Sequence, residues 1–247
     1  MAFVFPLGIA NWTIDLFIIW PLIIDQLSVK MSPLTDKEGV IMHCPGLFRE
    51  ERMEVLHGLI AAYPLATLIT AGRGGLMANL IPFSLHEGGD YGILRAHLAR
   101  GNKQLEELCE GTEILVVFQG PESYVTPSWY PSKTEHGKVV PTWNFVMVQV
   151  RGDARVIKDS GWILAQLEQL TNNREREREY PWKVSDAPEY FIEAQLKGLV
   201  GIEISIRSIE GKWKISQNRL SVDHQGVIDG LRAEGGCPAM VALMEQR

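Results

Sequence analysis

Hydrophobic and polar positions along this chain follow two periods, and the change from one to the other marks out its elements. Met53, Leu56, Ile60 and Tyr63 recur at steps of three and four, which predicts an amphipathic helix over Arg49–Tyr63, stopped by Pro64. The period then becomes two. Leu65–Thr70 is a short β-leaning run, AGRGG at 71–75 predicts a turn, and Leu76–Ser84 resumes as a strand, so the pair reads as a hairpin. Tyr91–Leu98 predicts a further strand, Arg100–Glu110 a helix, and Glu113–Gln119 a buried strand. Val139–Val156 sets Trp143, Phe145 and Met147 on one face and Val146, Val148 and Val150 on the other, the pattern of a long strand or bent pair buried on both faces.

The C-terminal half continues the same way. Trp162–Leu170 predicts a helix capped by Asp159 or Ser160. Asp186, with Glu189 three residues on, predicts a helix start and a helix running to about Gly198. Val200, Ile202, Ile204 and Ile206 alternate with Gly201, Glu203, Ser205 and Arg207. Glu210–Gly211 then predicts a turn after which Lys212–Ile215 pairs back. Ser221–Arg232 and Pro238–Glu245 predict closing helices. Strands joined by hairpins, with helices set apart from them, argue against a doubly wound parallel sheet. They predict a mainly β chain with rim helices (α+β), built as an antiparallel barrel.

Composition narrows the classes. The 247 residues are 46% hydrophobic and 22% charged, enough for one large globular domain with appendages. A formal net charge of −6 does not favour non-specific nucleic-acid binding. Cys44, Cys109 and Cys237 are far apart and lack CxxC spacing, so neither a disulfide framework nor a zinc site is implied, which fits a reducing, cytoplasmic setting. Arg174–Glu179 alternates RERERE and reads as a solvated surface.

The first 41 residues differ from the rest. Phe3–Ile24 is nearly all apolar and long enough to span a bilayer. Asp15 near its centre would cost about 2.5–3.5 kcal/mol on insertion, and Pro6 and Pro21 would bend a helix. Three readings stand: a membrane anchor, a helix packing on its own domain, or an extension outside the functional protein.

Candidate chemistry lies in three places. Gly120–Asn144 sets Tyr124, Trp129, Tyr130 and Trp143 among Pro121, Pro127, Pro131 and Pro141. Stiff aromatic walls of this kind suit a flat conjugated ligand, and a long Pro-rich connection would look the same. HLARGNK at 97–103 lies where a strand hands over to a predicted helix. There free N–H groups, Arg100 and Lys103, with Asn102 as a neutral donor, make a phosphate seat or simply a capped basic helix start. Lys212–Arg219 offers Gln217 and Asn218 as amide partners for a heterocycle edge, and Lys214 or Arg219 for an anion; a solvated strand end has the same composition. GxSxG, HExxH and Cys–His spacings are missing, so redox chemistry would need a cofactor.

Six blocks in order, PLATLIT (64–70), ANLIPF (78–83), GILRAHLARGN (92–102), VFQGPESYVTPSWY (117–130), VPTWNF (140–145) and KISQNR (214–219), resemble the PaiB family of FMN-binding negative transcriptional regulators. The resemblance covers about Met42–Arg232, and Met42-His43-Cys44-Pro45 is similar to the usual family start. It implies that 1–41 is an extension outside the family, 42–235 an FMN-binding split barrel with C-terminal helices, and 236–247 a tail helix. It implies a fold similar to pyridoxamine-phosphate oxidase, a homodimer, and FMN at the subunit interface. The phosphate would meet His97, Arg100, Asn102 and Lys103, and the ring would lie along Ala78, Asn79, Leu80 and Ile81. Trp129, Trp143, Lys214, Gln217 and Asn218 would shape the remaining walls. Gly101 departs from the Ala expected between Arg and Asn. The implied role is repression, directly on DNA or through a partner; the alternative is an FMN-dependent oxidoreductase or haem-handling enzyme on the same barrel.

Overall fold

The computed structural model describes residues 42–72, 74–108 and 113–246. The apolar run Phe3–Ile24, Cys109 and the end of the helix predicted over 100–110 lie outside them. Met42–Arg247 forms one compact unit. Its elements in chain order are β1 (Arg49–Glu50), α1 (Met53–Ala62), β2 (Leu65–Gly72), β3 (Gly75–Pro82), β4 (Ser84–His86), β5 (Ile93–Ala99), β6 (Glu113–Val125), α2 (Lys133–His136), β7 (Thr142–Ile157), α3 (Ser160–Glu175), α4 (Glu189–Lys197), β8 (Leu199–Lys214), α5 (Ser221–Ala233) and α6 (Pro238–Glu245).

The strands form one antiparallel eight-stranded sheet in the order β3-β2-β6-β7-β8-β5-β4, with β1 added to β8. β2 and β3 make the expected hairpin, from Leu65 opposite Pro82 to Gly72 opposite Gly75. The sheet curls because its two ends are neighbours in sequence. β3 ends at Pro82 and β4 begins at Ser84, with only Phe83 between them. Phe83 is buried, donates its N–H to the Pro64 carbonyl at 2.9 Å, and meets Phe118 edge-to-face at 5.9 Å. β3 and β5 come within 8 Å (Cα–Cα) without joining in a ladder, so the barrel stays open along that seam. This is the split β-barrel that the period-two runs and the block order predict.

Alternate residues fill the barrel: Leu68 from β2, Leu94 and Ala96 from β5, Val116 and Phe118 from β6, Val148 and Val150 from β7, and Ile202 and Ile204 from β8 are fully buried. Leu56, Leu59 and Ile60 plug one end from α1. α5 and α6 add Val227, Leu231, Met240 and Met244 to the same core.

Several predicted boundaries change. Glu210–Gly211 is not a turn, because β8 runs unbroken from Leu199 to Lys214, with Gly211 opposite Val148 on one side and Glu50 on the other. Glycine is needed there for closeness, not for turning: a Cβ would collide with the Leu56 side chain and stand 3.0 Å from the Glu50 carbonyl. The aromatic–proline stretch is strand only at its ends: β6 continues to Val125, with a bulge between Gln119 and Glu122 that absorbs Gly120 and Pro121, and residues 126–141, with Trp129 and Tyr130, form the connection to β7. The helix predicted from Arg100 is, over the described residues, a 3₁₀ turn at Lys103–Glu106. α4 begins after Pro188 rather than at Asp186, whose carboxylate instead accepts from the Lys183 N–H at 2.9 Å. β7 buries one face, Asn144 to Ala154 at even positions, and leaves Phe145 and Met147 half-buried on the other.

The crowding at Gly211 sets a testable cost. Gly211→Ala should lower stability by about 1–3 kcal/mol through overpacking of Leu56 against β8. Chemical denaturation checks it, and an unchanged midpoint would mean that α1 gives way more easily than its burial suggests.

Candidate functional site

The seam between β3 and β5 gathers two of the predicted blocks. Gln104, in the 3₁₀ turn just after β5, is fully buried and reaches across. Its Oε1 accepts from Asn79 Nδ2 at 2.9 Å. Its Nε2 faces the Leu68 carbonyl at 3.0 Å, Thr70 Oγ1 at 3.3 Å and the Met77 carbonyl at 3.4 Å. Asn102 caps the turn by accepting the Gln104 N–H at 2.9 Å. Asn79 and Ile81 therefore point inward, and Ala78 and Leu80 point outward. Sequence reasoning missed Gln104, which reads as one more polar residue in a predicted helix.

The rest of the 97–103 junction is tied to its neighbours. His97 Nδ1 bonds Gln166 Oε1 on α3 at 2.8 Å, and the Gln166 amide nitrogen, though buried, has no partner among the described residues. Arg100 does not hold its guanidinium free for an anion. Its Nε donates to the Lys197 carbonyl at 2.8 Å and Nη2 to that of Leu199 at 3.2 Å, which caps the C-terminus of α4. Lys103 is exposed.

Beside His97 under α3 lies a polar cluster. Glu203 receives Arg95 at 2.8 Å and Arg155 at 2.6 Å, and Arg95 stacks on Trp162 at 5.7 Å. Burial alone would raise the Glu203 carboxyl, but the two guanidinium bonds outweigh it and hold it below the usual carboxylate range. His86 Nδ1 lies 3.5 Å from Arg95, which can only donate, and Nε2 lies 3.0 Å from Ser84 Oγ. His86 is thus a neutral ring with its proton on Nε2.

The other candidates stand at the far end of β7 and β8. Trp143 is half-exposed and meets Tyr124 edge-to-face at 5.7 Å. Lys214 Nζ is held by Thr142 Oγ1 and the Trp143 carbonyl. Burial pushes its amine below the usual lysine range, with repulsion from Arg219 and Lys212 adding to the effect. Gln217 accepts the Ile215 N–H at 2.7 Å and donates to the Trp213 carbonyl, locking the chain as it leaves β8. Asn218 is exposed. Trp129 lies against Gly230 of α5 and donates to Glu234 at 3.2 Å. From Gly201, opposite His97, to Lys214 the strand runs roughly 40 Å. The structure joins Ala78–Ile81 to the 97–104 junction and leaves Trp129, Trp143, Lys214, Gln217 and Asn218 apart from them.

The outer surface of the sheet differs between its halves. Over β3, β2, β6 and the start of β7 it is apolar. Leu76 and Leu80 are 81% and 64% exposed, and Leu115, Val117, Phe145 and Met147 continue the face across the sheet. A groove of about 470 Å³ crosses it, lined by Gln119, Gly120, Glu122, Trp143, Phe145 and Met147. Among the described residues no cluster of His, Cys, Asp or Glu could hold a metal, and no helix is long and apolar enough to cross a membrane.

Comparison with known proteins places these features in a wider group. Residues 42–208 match the family described as "Putative FMN-binding domain". An uncharacterized protein of Emericella nidulans is 35% identical over 78% of this chain and 92% of its own. The protease synthase and sporulation protein PAI 2 of Bacillus subtilis is 30% identical over 83% of this chain and 98% of its own. Among solved structures, an FAD and heme binding protein from Mycobacterium smegmatis shares the fold at a TM-score of 0.52 and 20% identity, over 76% of this chain and 80% of that one.

The Arg95–His86 contact carries a pH signature. Burial, reinforced by the Arg95 charge, lowers the His86 pKa from 6.5. Below pH 6.5 the unfolded chain takes up a proton that the folded chain resists, so stability present above that pH is lost as pH falls. Melting temperatures measured between pH 8 and 5 should fall less steeply for His86→Gln than for the unaltered chain; equal slopes would show that His86 is not the group responsible.

Proposed function

This chain belongs to the FMN-binding domain family matched over residues 42–208, and from that premise we propose that it is a dimeric flavoprotein that regulates gene expression. The carrying observation is the apolar outer face of β3, β2, β6 and early β7. An antiparallel sheet with one face in water ordinarily alternates apolar-in and polar-out. Here Leu76, Leu80, Leu115, Val117 and Phe145 turn outward, a surface suited to a second copy of the same sheet.

The residues at the seam fit FMN. Outward Ala78 and Leu80 supply a flat apolar bed for the ring, and the unpaired edge of β3 supplies backbone donors and acceptors beside it. Lys103 and the Asn102 amide nitrogen supply the phosphate partners, and His97 Nε2 could join them only in the doubly protonated ring, since Nδ1 already donates to Gln166; Arg100 contributes by fixing the junction to α4. Trp143 and Lys214, at the end of β7 and β8 away from the His97 pairing, would be contributed to that flavin by the second subunit. Bound flavin supplies one- and two-electron redox chemistry. The chain's own part is to hold the ring on β3 and keep water from it with the facing sheet. Regulation is supported by the resemblance to the PaiB family and by the name of the Bacillus relative, which concerns protease synthesis and sporulation.

The purified protein should take up FMN, show flavin absorbance and sediment as a dimer. Phe145→Glu should weaken dimerisation about thirtyfold or more, as for a hot spot of about 2 kcal/mol. A protein that stays colourless with FMN would overturn the flavin site, and a monomer at micromolar concentration would overturn the dimer. At low salt a fragment carrying the protein's own promoter should shift in a gel; no shift points to repression through a partner. Bleaching of the flavin by a nicotinamide nucleotide would favour the oxidoreductase instead.

A further inference from the structure

We infer that Gln104 is a positioning residue that sets the distance between the ring and phosphate ends of the flavin site. The inference rests on the site assigned above and concerns a residue that touches neither end of the ligand. Gln104 belongs to the 97–104 junction, yet its side chain grips both strands of the β2–β3 hairpin. It reaches Leu68 and Thr70 on one and Met77 and Asn79 on the other. No ladder crosses the seam between β3 and β5. This amide gives the spacing between junction and hairpin a directional set of bonds that side-chain packing does not supply.

Chemistry favours that role over simple core filling. A leucine of similar size would fill the volume with no polar group to desolvate. The amide is worth its burial only where its bonds are needed, because a fully buried polar group must find partners for both ends. Here the oxygen is matched to Asn79, and the two amide hydrogens are shared among three acceptors. The geometry is therefore fixed in distance and in rotation. The ring and phosphate of FMN belong to one molecule of limited length. An error in seam spacing is felt only when both ends bind at once. Riboflavin, which lacks the phosphate, reads the ring end alone.

That difference separates positioning from mere stability. FMN and riboflavin affinities are measured by quenching of flavin fluorescence for the unaltered protein, Gln104→Met and Asn79→Leu. Gln104→Met keeps the shape and removes the bonds; Asn79→Leu cuts the same link from a less buried side and serves if the first variant does not fold. The preference for FMN over riboflavin should fall by about tenfold or more in each, in line with the cost of misplacing a group by about 1 Å. The double variant should lose no more than Gln104→Met alone, since the bond that Asn79→Leu breaks is one of those that Gln104→Met already removes. Equal loss of affinity for both ligands would overturn the inference and leave Gln104 a structural residue. Lys103→Ala tests the underlying site separately. If it leaves the FMN preference unchanged, the phosphate end has been misplaced and the positioning role goes with it.

Discussion

One buried amide bridges the open seam of this barrel. A sheet that curls without closing leaves a seam where backbone groups lack ladder partners, and each such group left unsatisfied in the interior costs about 1–3 kcal/mol. Gln104 reaches from the β5 side of the seam into the barrel and bonds the Leu68 and Met77 carbonyls and Asn79 of the hairpin. The outer side of β3 stays open. The element most exposed to mispairing is thus also the one with backbone groups left for a ligand. Phe83 closes the barrel covalently at one end, and Gln104 closes it by hydrogen bonds further along.

The division of the outer surface follows from what covers it. Where α3 lies across β5, β8 and late β7, the outward residues include charged groups, with Glu203 paired to both Arg95 and Arg155. Two guanidinium groups on one carboxylate leave it fully matched, although Arg155 remains largely exposed. Where none of the described elements covers β3, β2, β6 and early β7, the outward residues are largely apolar. The same sheet is covered by α3 over half its outer surface and, among the described residues, is open and apolar over the other half. β7 and β8 run through both halves, which puts Lys214 and His97 at opposite ends of one strand pair.

Sequence periods carried most of the framework. Alternation in β2, β3, β5 and the start of β8, and the three-and-four spacing in α1 and α6, are local signals read by strands and helices in any context. Errors came where a residue's usual local meaning was overruled by a distant neighbour. Gly211 looked like a turn and is a contact between β8 and Leu56. Gly120 and Pro121 looked like a loop and are a bulge within β6. Arg100, read as an anion ligand, also caps α4, nearly a hundred positions away in sequence.

By itself the sequence determined the barrel class, the hairpin, the block order that marks the family, and the stretch at 97–104 where strand ends and turn begins. Each depends on residues close together in the chain. Only the tertiary structure decided which polar side chains are already bound to the protein and which face outward, because hydrogen-bond partners and burial are set by elements far apart in sequence. Gln104 shows the difference most clearly. Nothing in its neighbours 101–107 distinguishes it, and its role exists only once the β2–β3 hairpin folds over it.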